Sequence, residues 1–99
     1  MSAAADAHAH VQPIGEVRWR QSVRVRGRIR DMRVRPWAGG GASLECTLVD
    51  DTGGITLIYL GRRRIAGIGL GREMEVEGMI SESRARLVIL NPLYTLYSS

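Results

Sequence analysis

Arginine is the side chain whose number and spacing in this sequence most clearly indicate a chemical role. All fourteen basic residues are Arg, the net charge is +4, and six of the arginines fall between residues 23 and 35. Phosphate groups are the usual partners of such clustered positive charge. The basic excess therefore favours a polyanionic partner, with nucleic acid first and another anionic surface second.

Trp37 is the second residue with a chemical use. It lies in a segment, residues 36–43, that one Pro and three consecutive Gly mark as a loop. An indole in such a loop suits base stacking. The alternative is that Trp37 folds back over the end of the folded domain, because Trp is largely buried in most proteins. We expect the exposed position.

Residue types that catalyse reactions or bind metals do not occur here in matching patterns. There is no G-x-S-x-G, and neither glycine-rich segment continues into G-K-[ST]. Glu73, Glu75 and Glu77 repeat at every second position, which is typical of a solvated strand face. His8 and His10 form an H-x-H, but no further cluster of Cys, His or carboxylate completes a ligand set. We expect no enzymatic activity, no metal and no cofactor.

The Arg-rich segment itself has the period-two pattern of a half-buried strand. Apolar residues hold odd positions from Val23 to Ile29, whereas Met32 and Val34 hold even positions. This change of phase predicts a β-bulge near residues 30–31. Gly27 predicts a second bend or a close backbone approach.

Four further segments complete the predicted elements. Residues 43–49 and 55–60 alternate around a tight turn at 50–54 and predict a hairpin, with Tyr59 in the core. A short helix is expected to end at Gly67. Residues 73–80 and 84–90 are the fourth and fifth strands. Trp19 is expected to pack over one end of the domain.

This order of elements predicts one all-β domain, a five-stranded Greek-key OB-fold barrel with a short helix between strands three and four. We expect a disordered N-terminal tail at residues 1–12 and the OB-fold domain at 13–99. Cys46 is the only cysteine, and no apolar run is long enough to span a membrane. The N-terminus lacks the features of a signal peptide, so we expect a cytoplasmic protein.

Several motifs resemble those of OB-fold nucleic-acid-binding domains. They are ECTLVDDTGGITL at residues 45–57, LG at 60–61, GREMEVEG at 71–78 and LNPLY at 90–94. The chain is most similar to the wedge-like domain of branch-migration helicases and to small stand-alone actinobacterial OB-fold proteins. The resemblance covers about residues 17–96 and implies an OB-fold that binds nucleic acid. The helicase motor domains are absent, so it does not imply ATP-driven activity.

The OB topology pairs the first strand with the fourth, which sets Arg24, Arg26 and Arg28 opposite the three glutamates of residues 73–77. Such cross-strand pairs stabilise a sheet by roughly 0.2–1 kcal/mol each. We therefore expect these arginines to be structural. A triplet of arginines at 62–64 begins the predicted helix, where positive charge opposes the macrodipole unless a phosphate binds.

The resulting hypothesis is a non-catalytic module that binds single-stranded or branched DNA in preference to RNA, with little sequence specificity. OB-folds bind oligonucleotides across strands two and three, between the loop joining strands one and two and the loop joining strands four and five. The rival is a protein–protein interaction module that uses the same face, Met79 and residues 93–97. The predicted nucleic-acid-binding residues are Arg30, Arg33, Arg35, Trp37, Thr47, Thr56, Ile58, Arg62, Arg63, Arg64, Arg84 and Arg86.

Overall fold

The computed structural model describes residues 10–97 of the chain, and within them it contains one short 3-10 helix and six β-strands. The predicted disordered tail, residues 1–12, lies mostly outside the described residues, as does His8. Gln12, near its end, donates its backbone N–H to the Arg24 carbonyl at 2.8 Å. The elements are η1 (Ile14–Glu16), β1 (Ser22–Pro36), β2 (Ala42–Asp50), β3 (Gly53–Leu60), β4 (Glu73–Ser83), β5 (Arg86–Leu90) and β6 (Leu93–Leu96).

The strands form one sheet whose pairings close into a ring of five. β1 pairs antiparallel with β2 and with β4, β2 with β3, and β4 with β5, while β3 and β5 are parallel. β6 adds a sixth strand along β4. This connectivity agrees with the all-β, OB-like fold that the sequence predicts. No helix within residues 10–97 is long and apolar enough to cross a membrane.

β1 takes part in two pairings because it is long and bends at a bulge. Residues 22–28 pair with β4 and residues 28–36 with β2, and the β2 register shifts between Ile29 and Asp31. The predicted bulge at residues 30–31 is therefore confirmed. A Cβ added to Gly27 would overlap the Val49 carbonyl. The close backbone approach expected at Gly27 is therefore confirmed as well.

The core lies inside the ring and consists mainly of aliphatic side chains. Tyr59 is buried within it, as predicted. Ile14 of η1 and Ile65 and Ile68 of the β3–β4 connection add to the core from outside the strands. Side chains that are almost completely buried include Val23, Val25, Ile29, Leu44, Cys46, Leu48, Leu57, Met74, Val76, Ile80, Val88 and Ile89.

The connection between β3 and β4, residues 61–72, contains turns where a short helix was predicted. Gly61, Gly67 and Gly71 have φ angles of 74°, 86° and 81°. Positive φ at these glycines turns the chain at each of the three positions, and residues 62–66 between the first two form no helix. The predicted helix is not confirmed. Residues 62–64 therefore do not begin a helix, and the argument that their charge opposes a helix macrodipole does not apply.

The charged ladder between β1 and β4 has the predicted register, with Arg24 opposite Glu77, Arg26 opposite Glu75 and Arg28 opposite Glu73. The ion pairs also run diagonally. Arg24 binds Glu75 and Glu77 at 3.3 and 3.1 Å, and Arg26 and Arg28 bind Glu73 at 2.8 and 3.7 Å. These three arginines therefore stabilise the strand pair.

Candidate functional site

The outer face of the sheet carries a polar trough made of two adjoining clefts. The larger cleft is ≈ 630 Å³ and the smaller ≈ 390 Å³, and both are lined by Thr47, Thr56 and Arg86. Arg30, η1 and the start of β3 line only the larger cleft, and Arg33 lines only the smaller one. We call these two clefts together the trough.

Strand register explains why these side chains share one face. After the bulge, Asp31 lies opposite Thr47, which lies opposite Thr56 on β3. Arg33 lies opposite Glu45 in the same way. Directly opposed residues of paired strands point to the same side of a sheet. The bulge is required for this, because without it the distal arginines of β1 would point to the other face.

Glu45 lines the smaller cleft and binds two arginines. Arg35 donates Nε to its Oε2 at 2.7 Å, and Arg86 donates Nη2 to its Oε1 at 3.2 Å. Arg86 also donates Nη1 to Thr56 Oγ1 at 3.3 Å. Burial alone would raise the pKa of Glu45, but the hydrogen bonds and charges of Arg35 and Arg86 outweigh burial and lower it.

This cluster corrects one expectation. Arg35 and Arg86 were predicted to be free for phosphate, whereas both are ion-paired to the same buried carboxylate. Two guanidinium groups against one carboxylate still leave this part of the trough positive. The pairing holds each guanidinium in one orientation, which reduces the entropy lost when an anion binds.

Arg30 and Arg33 are the exposed cations of the trough. Arg30 has no partner in the β1–β2 ladder, and its Nε lies 3.2 Å from Asp31 Oδ2. Both side chains of that pair are about two-thirds exposed. Such surface pairs contribute little to stability. Arg33 is exposed and forms no ion pair with the residues that the structure describes. Both arginines can therefore reorient toward an anionic ligand.

Trp37 lies in the β1–β2 loop and is 45% exposed. Its Nε1 donates to Ser43 Oγ at 2.9 Å, and its six-membered ring covers Gly41, where an added Cβ would overlap it. The backbone N–H of Trp37 also donates to the Gly41 carbonyl at 2.7 Å. The indole is therefore held in a fixed orientation and remains partly accessible. The alternative of full burial is not what the structure shows.

The outer faces of β2 and β3 are less accessible than the sequence predicts. Thr47 is half-buried, Thr56 is buried and Ile58 is only 6% exposed. Ile58 lies between Glu45 on β2 and Leu90 on β5. Ile58 therefore does face outward as expected, but it is covered and cannot form a contact surface.

Leu60 and Leu90 are the exposed apolar residues at this end of the outer face, at 46% and 45%. Asn91 holds the two strand ends together: its N–H donates to the Ile58 carbonyl at 2.7 Å, and its Oδ1 accepts from Leu60 N–H at 2.9 Å. Sequence reasoning missed both leucines. A signal for Leu60 was present in the sequence. Leu60 follows Thr56 and Ile58 at alternate positions of one strand, and alternate positions face the same side of a sheet.

The remaining predicted arginines lie in two exposed turns. Arg62, Arg63 and Arg64 are exposed just after β3, which ends with Leu60 opposite Ser43. Because Ser43 binds the Trp37 indole, this triplet and Trp37 lie at the same end of the sheet. Arg84 is exposed at the tip of the β4–β5 hairpin. None of these four forms an ion pair with the described part of the chain.

The other end of the trough is formed by η1 and the β2–β3 turn. Asp50 Oδ2 accepts from Ile14 N–H at 2.9 Å, and Asp50 Oδ1 accepts from Thr52 N–H, Thr52 Oγ1 and Gly53 N–H at 2.7, 2.6 and 3.1 Å. Burial acts to raise the pKa of Asp50, but these hydrogen bonds lower it overall. Sequence reasoning identified Asp50 only as a turn residue, whereas it also fixes one wall of the larger cleft.

Comparison with known proteins gives a structural match and no sequence match. No protein-family model matches the chain, and no curated protein is similar to it in sequence. The solution NMR structure of a replication factor A related protein from Methanobacterium thermoautotrophicum is similar, with a TM-score of 0.67. The match covers 89% of this chain and 91% of that one at 12% sequence identity. At that identity the similarity supports the OB-like fold and no specific family.

Proposed function

We propose that this protein is a non-catalytic module that binds single-stranded or branched nucleic acid, DNA in preference to RNA, along the trough. The observation that carries the proposal is the trough itself, which three guanidinium groups and two carboxylates line and which runs toward an oriented, partly exposed indole. The guanidinium groups belong to Arg30, Arg33 and Arg86, and the carboxylates to Asp31 and Glu45. Arg35, which binds Glu45, adds a fourth guanidinium group beside the smaller cleft.

The proposed mechanism divides the contacts into two kinds. Arg30 and Arg33, which are exposed, bind phosphates and supply most of the electrostatic attraction. Arg86, fixed by Glu45 and Thr56, binds a phosphate at the centre of the trough. Trp37 stacks on a base at one end, a contact worth about 1–3 kcal/mol.

Low sequence specificity follows from the same geometry. Thr56 and Arg86 are hydrogen-bonded to each other, and the indole N–H of Trp37 is bonded to Ser43. These groups are therefore not free to read base edges, which is how sequence is recognised. The similar solved structure is described as a replication factor A related protein, which supports nucleic-acid binding in general.

The test is a fluorescence anisotropy titration with labelled single-stranded, forked and duplex DNA and single-stranded RNA, each at about 50 mM and about 200 mM salt. We expect the tightest binding to single-stranded or forked DNA. For single strands, three or four phosphate contacts predict a slope of about −2 to −3 in a plot of log affinity against log salt. No binding, or binding that does not depend on salt, would contradict the proposal.

A matched pair of variants locates the interface. Arg33→Ser removes an exposed cation of the trough, and Arg28→Ser removes an exposed cation of the same strand that lies on the β4 ladder instead. We expect Arg33→Ser to weaken binding and to reduce the salt slope by about 0.7. Arg28→Ser should leave the slope unchanged.

A protein–protein interaction module is the second candidate, because a different part of the surface is apolar and exposed. Met79 is 56% and Leu93 71% exposed, and both line a cleft of ≈ 240 Å³ beside Gly78. The test is sedimentation velocity of the wild type and of Leu93→Ser. Self-association that this change abolishes would support the second candidate.

A further inference from the structure

The turn formed by residues 18–21 presents an exposed indole that the trough does not include. Trp19 was predicted to pack over one end of the domain, but it is 55% exposed. Gln21 N–H donates to the Arg18 carbonyl at 3.1 Å, and Gln21 Oε1 accepts from Arg18 N–H at 3.0 Å. These two bonds close the turn and leave Trp19 and Arg20 at its tip.

This turn is fixed to the body of the protein. Arg20 N–H donates to the Ile80 carbonyl at 2.9 Å, and Ile80 N–H donates to the Gln21 carbonyl at 2.8 Å. Ile80 is itself buried in β4. Arg20 has a φ of 68°, a left-handed conformation that turns the chain sharply at this point. A side chain on an anchored turn loses less entropy on binding than one on a free segment.

The turn begins at the wall of the larger cleft. Val17 lines that cleft together with Arg86 and Leu87. Trp19 is two residues further along the chain, a separation of at most about 7 Å between Cα atoms. The turn therefore lies next to one wall of the larger cleft.

The chemistry of the turn matches that of a single-strand contact. The guanidinium carbon of Arg20 lies 4.4 Å from the Trp19 ring centroid, so one face of the indole is covered by a cation and its exposed part remains available. Arg18 adds a second exposed positive charge, and neither arginine forms an ion pair within residues 10–97. An aromatic ring combined with cations is the usual surface for stacked bases beside phosphates.

We propose that the 18–21 turn is a second stacking site for single-stranded nucleic acid, which extends the path of the strand beyond the trough. This proposal rests on the proposed function of the trough. In this proposal, Trp19 stacks on a base that lies outside the trough. Only oligonucleotides longer than the trough can therefore make this contact.

The test compares labelled oligothymidylates of about 5 and about 15 nucleotides, lengths near the two ends of the site sizes known for OB folds. We expect Trp19→Ala to weaken binding of the longer oligonucleotide about fivefold or more and to leave the shorter one unchanged within about twofold. Trp19→Phe keeps a ring and should retain most of the affinity. Leu70→Ala, a change at a 71% exposed residue outside both surfaces, is the matched control.

The outcomes separate this proposal from the one on which it rests. If Trp19→Ala binds both oligonucleotides as the wild type does, the second stacking site is wrong and the trough remains supported. If the wild type binds neither oligonucleotide, the proposed function fails and the second site fails with it. Because Trp19 is exposed, the midpoint temperature of thermal unfolding should be the same for Trp19→Ala as for the wild type. The binding affinities of the two proteins can then be compared directly.

Discussion

Arg86 and Glu45 are 41 residues apart in the sequence, yet Arg86 Nη2 lies 3.2 Å from Glu45 Oε1. β3 lies between their strands, and the parallel β3–β5 pairing brings Arg86 across it. The same carboxylate also binds Arg35. A single buried carboxylate therefore orients two arginines at the smaller cleft of the proposed interface.

Replacing Glu45 with Gln should strengthen nucleic-acid binding. The change removes the carboxylate that competes with phosphate for Arg35 and Arg86 and keeps an oxygen that can accept a hydrogen bond. We expect the affinity for single-stranded DNA at low salt to rise about threefold to tenfold, equal to about 0.6–1.4 kcal/mol. Glu75→Gln, the same charge change on the β4 ladder, is the control for net charge. Weaker binding by Glu45→Gln would show that Glu45 is needed to position the arginines.

Acid should destabilise the fold through Glu45 and Asp50. Both carboxyl groups have a lowered pKa in the folded protein. The unfolded chain therefore binds protons first as the pH falls, starting near the ordinary values of about 3.9 for Asp and 4.3 for Glu. The stability that these groups contribute is complete above those values and is lost as the pH falls through the lowered folded values.

Urea denaturation at a series of pH values from about 6 to about 3 measures this loss. Asp50→Asn is expected to lower stability by about 1–2 kcal/mol at neutral pH, because a neutral amide oxygen accepts hydrogen bonds more weakly than a carboxylate. The same variant should show a shallower loss in acid. An unchanged acid dependence would mean that Asp50 is not one of the groups responsible.

Trp37 should report directly on binding. Its indole is oriented by Ser43 and is partly exposed, so stacking on a base should quench its fluorescence. We expect Trp37→Ala to weaken single-strand binding by about 1–3 kcal/mol. Trp37→Phe, which keeps a ring but not the N–H, should lose less. The oligonucleotide for this measurement is about 5 nucleotides long, too short to reach Trp19 as well. Full quenching by it in Trp37→Ala would assign the signal to Trp19 instead.

The hairpin between β4 and β5 contains backbone strain that a glycine should relieve. Arg84 and Ala85 have φ angles of 54° and 64° in a two-residue turn, where Asn-Gly is the usual sequence. We expect Ala85→Gly to stabilise the protein by about 0.5–1 kcal/mol, measured by thermal unfolding. Ala66→Gly is the matched control, because Ala66 is also exposed but has no positive φ. It should be neutral or destabilising.

Cys46 should be inert in the folded protein. Its side chain is 1% exposed, and burial raises the pKa of its thiol to about 11. The reactive thiolate is therefore almost absent at neutral pH. We expect labelling by a thiol reagent to be slow in buffer and fast in denaturant. Rapid labelling of the native protein would show that β2 opens locally.

The alternation of apolar and polar residues predicted those features of the fold that lie within one β-strand. Alternation within the first strand predicted the bulge after Ile29, and Gly27 in the same segment predicted the close backbone approach. The ladder of Arg24, Arg26 and Arg28 required one further assumption, the pairing of the first strand with the fourth. The helix before Gly67 was predicted from local signals as well, but three glycines with positive φ formed turns instead. Ile65 and Ile68 of this segment are buried in the core, and such tertiary contacts can override local propensity.

The sequence by itself determined the five strands of the ring, the faces of those strands and the excess of arginine, whereas β6 was not predicted as a strand. The tertiary structure decided that Arg35 and Arg86 are compensated and that Trp19 is exposed. The ion pairs of Arg35 and Arg86 with Glu45 required the parallel pairing of β3 with β5, and the exposure of Trp19 required the turn tied to Ile80. Both depend on contacts between residues far apart in the chain, and the spacing of residues within one segment carries no information about such contacts.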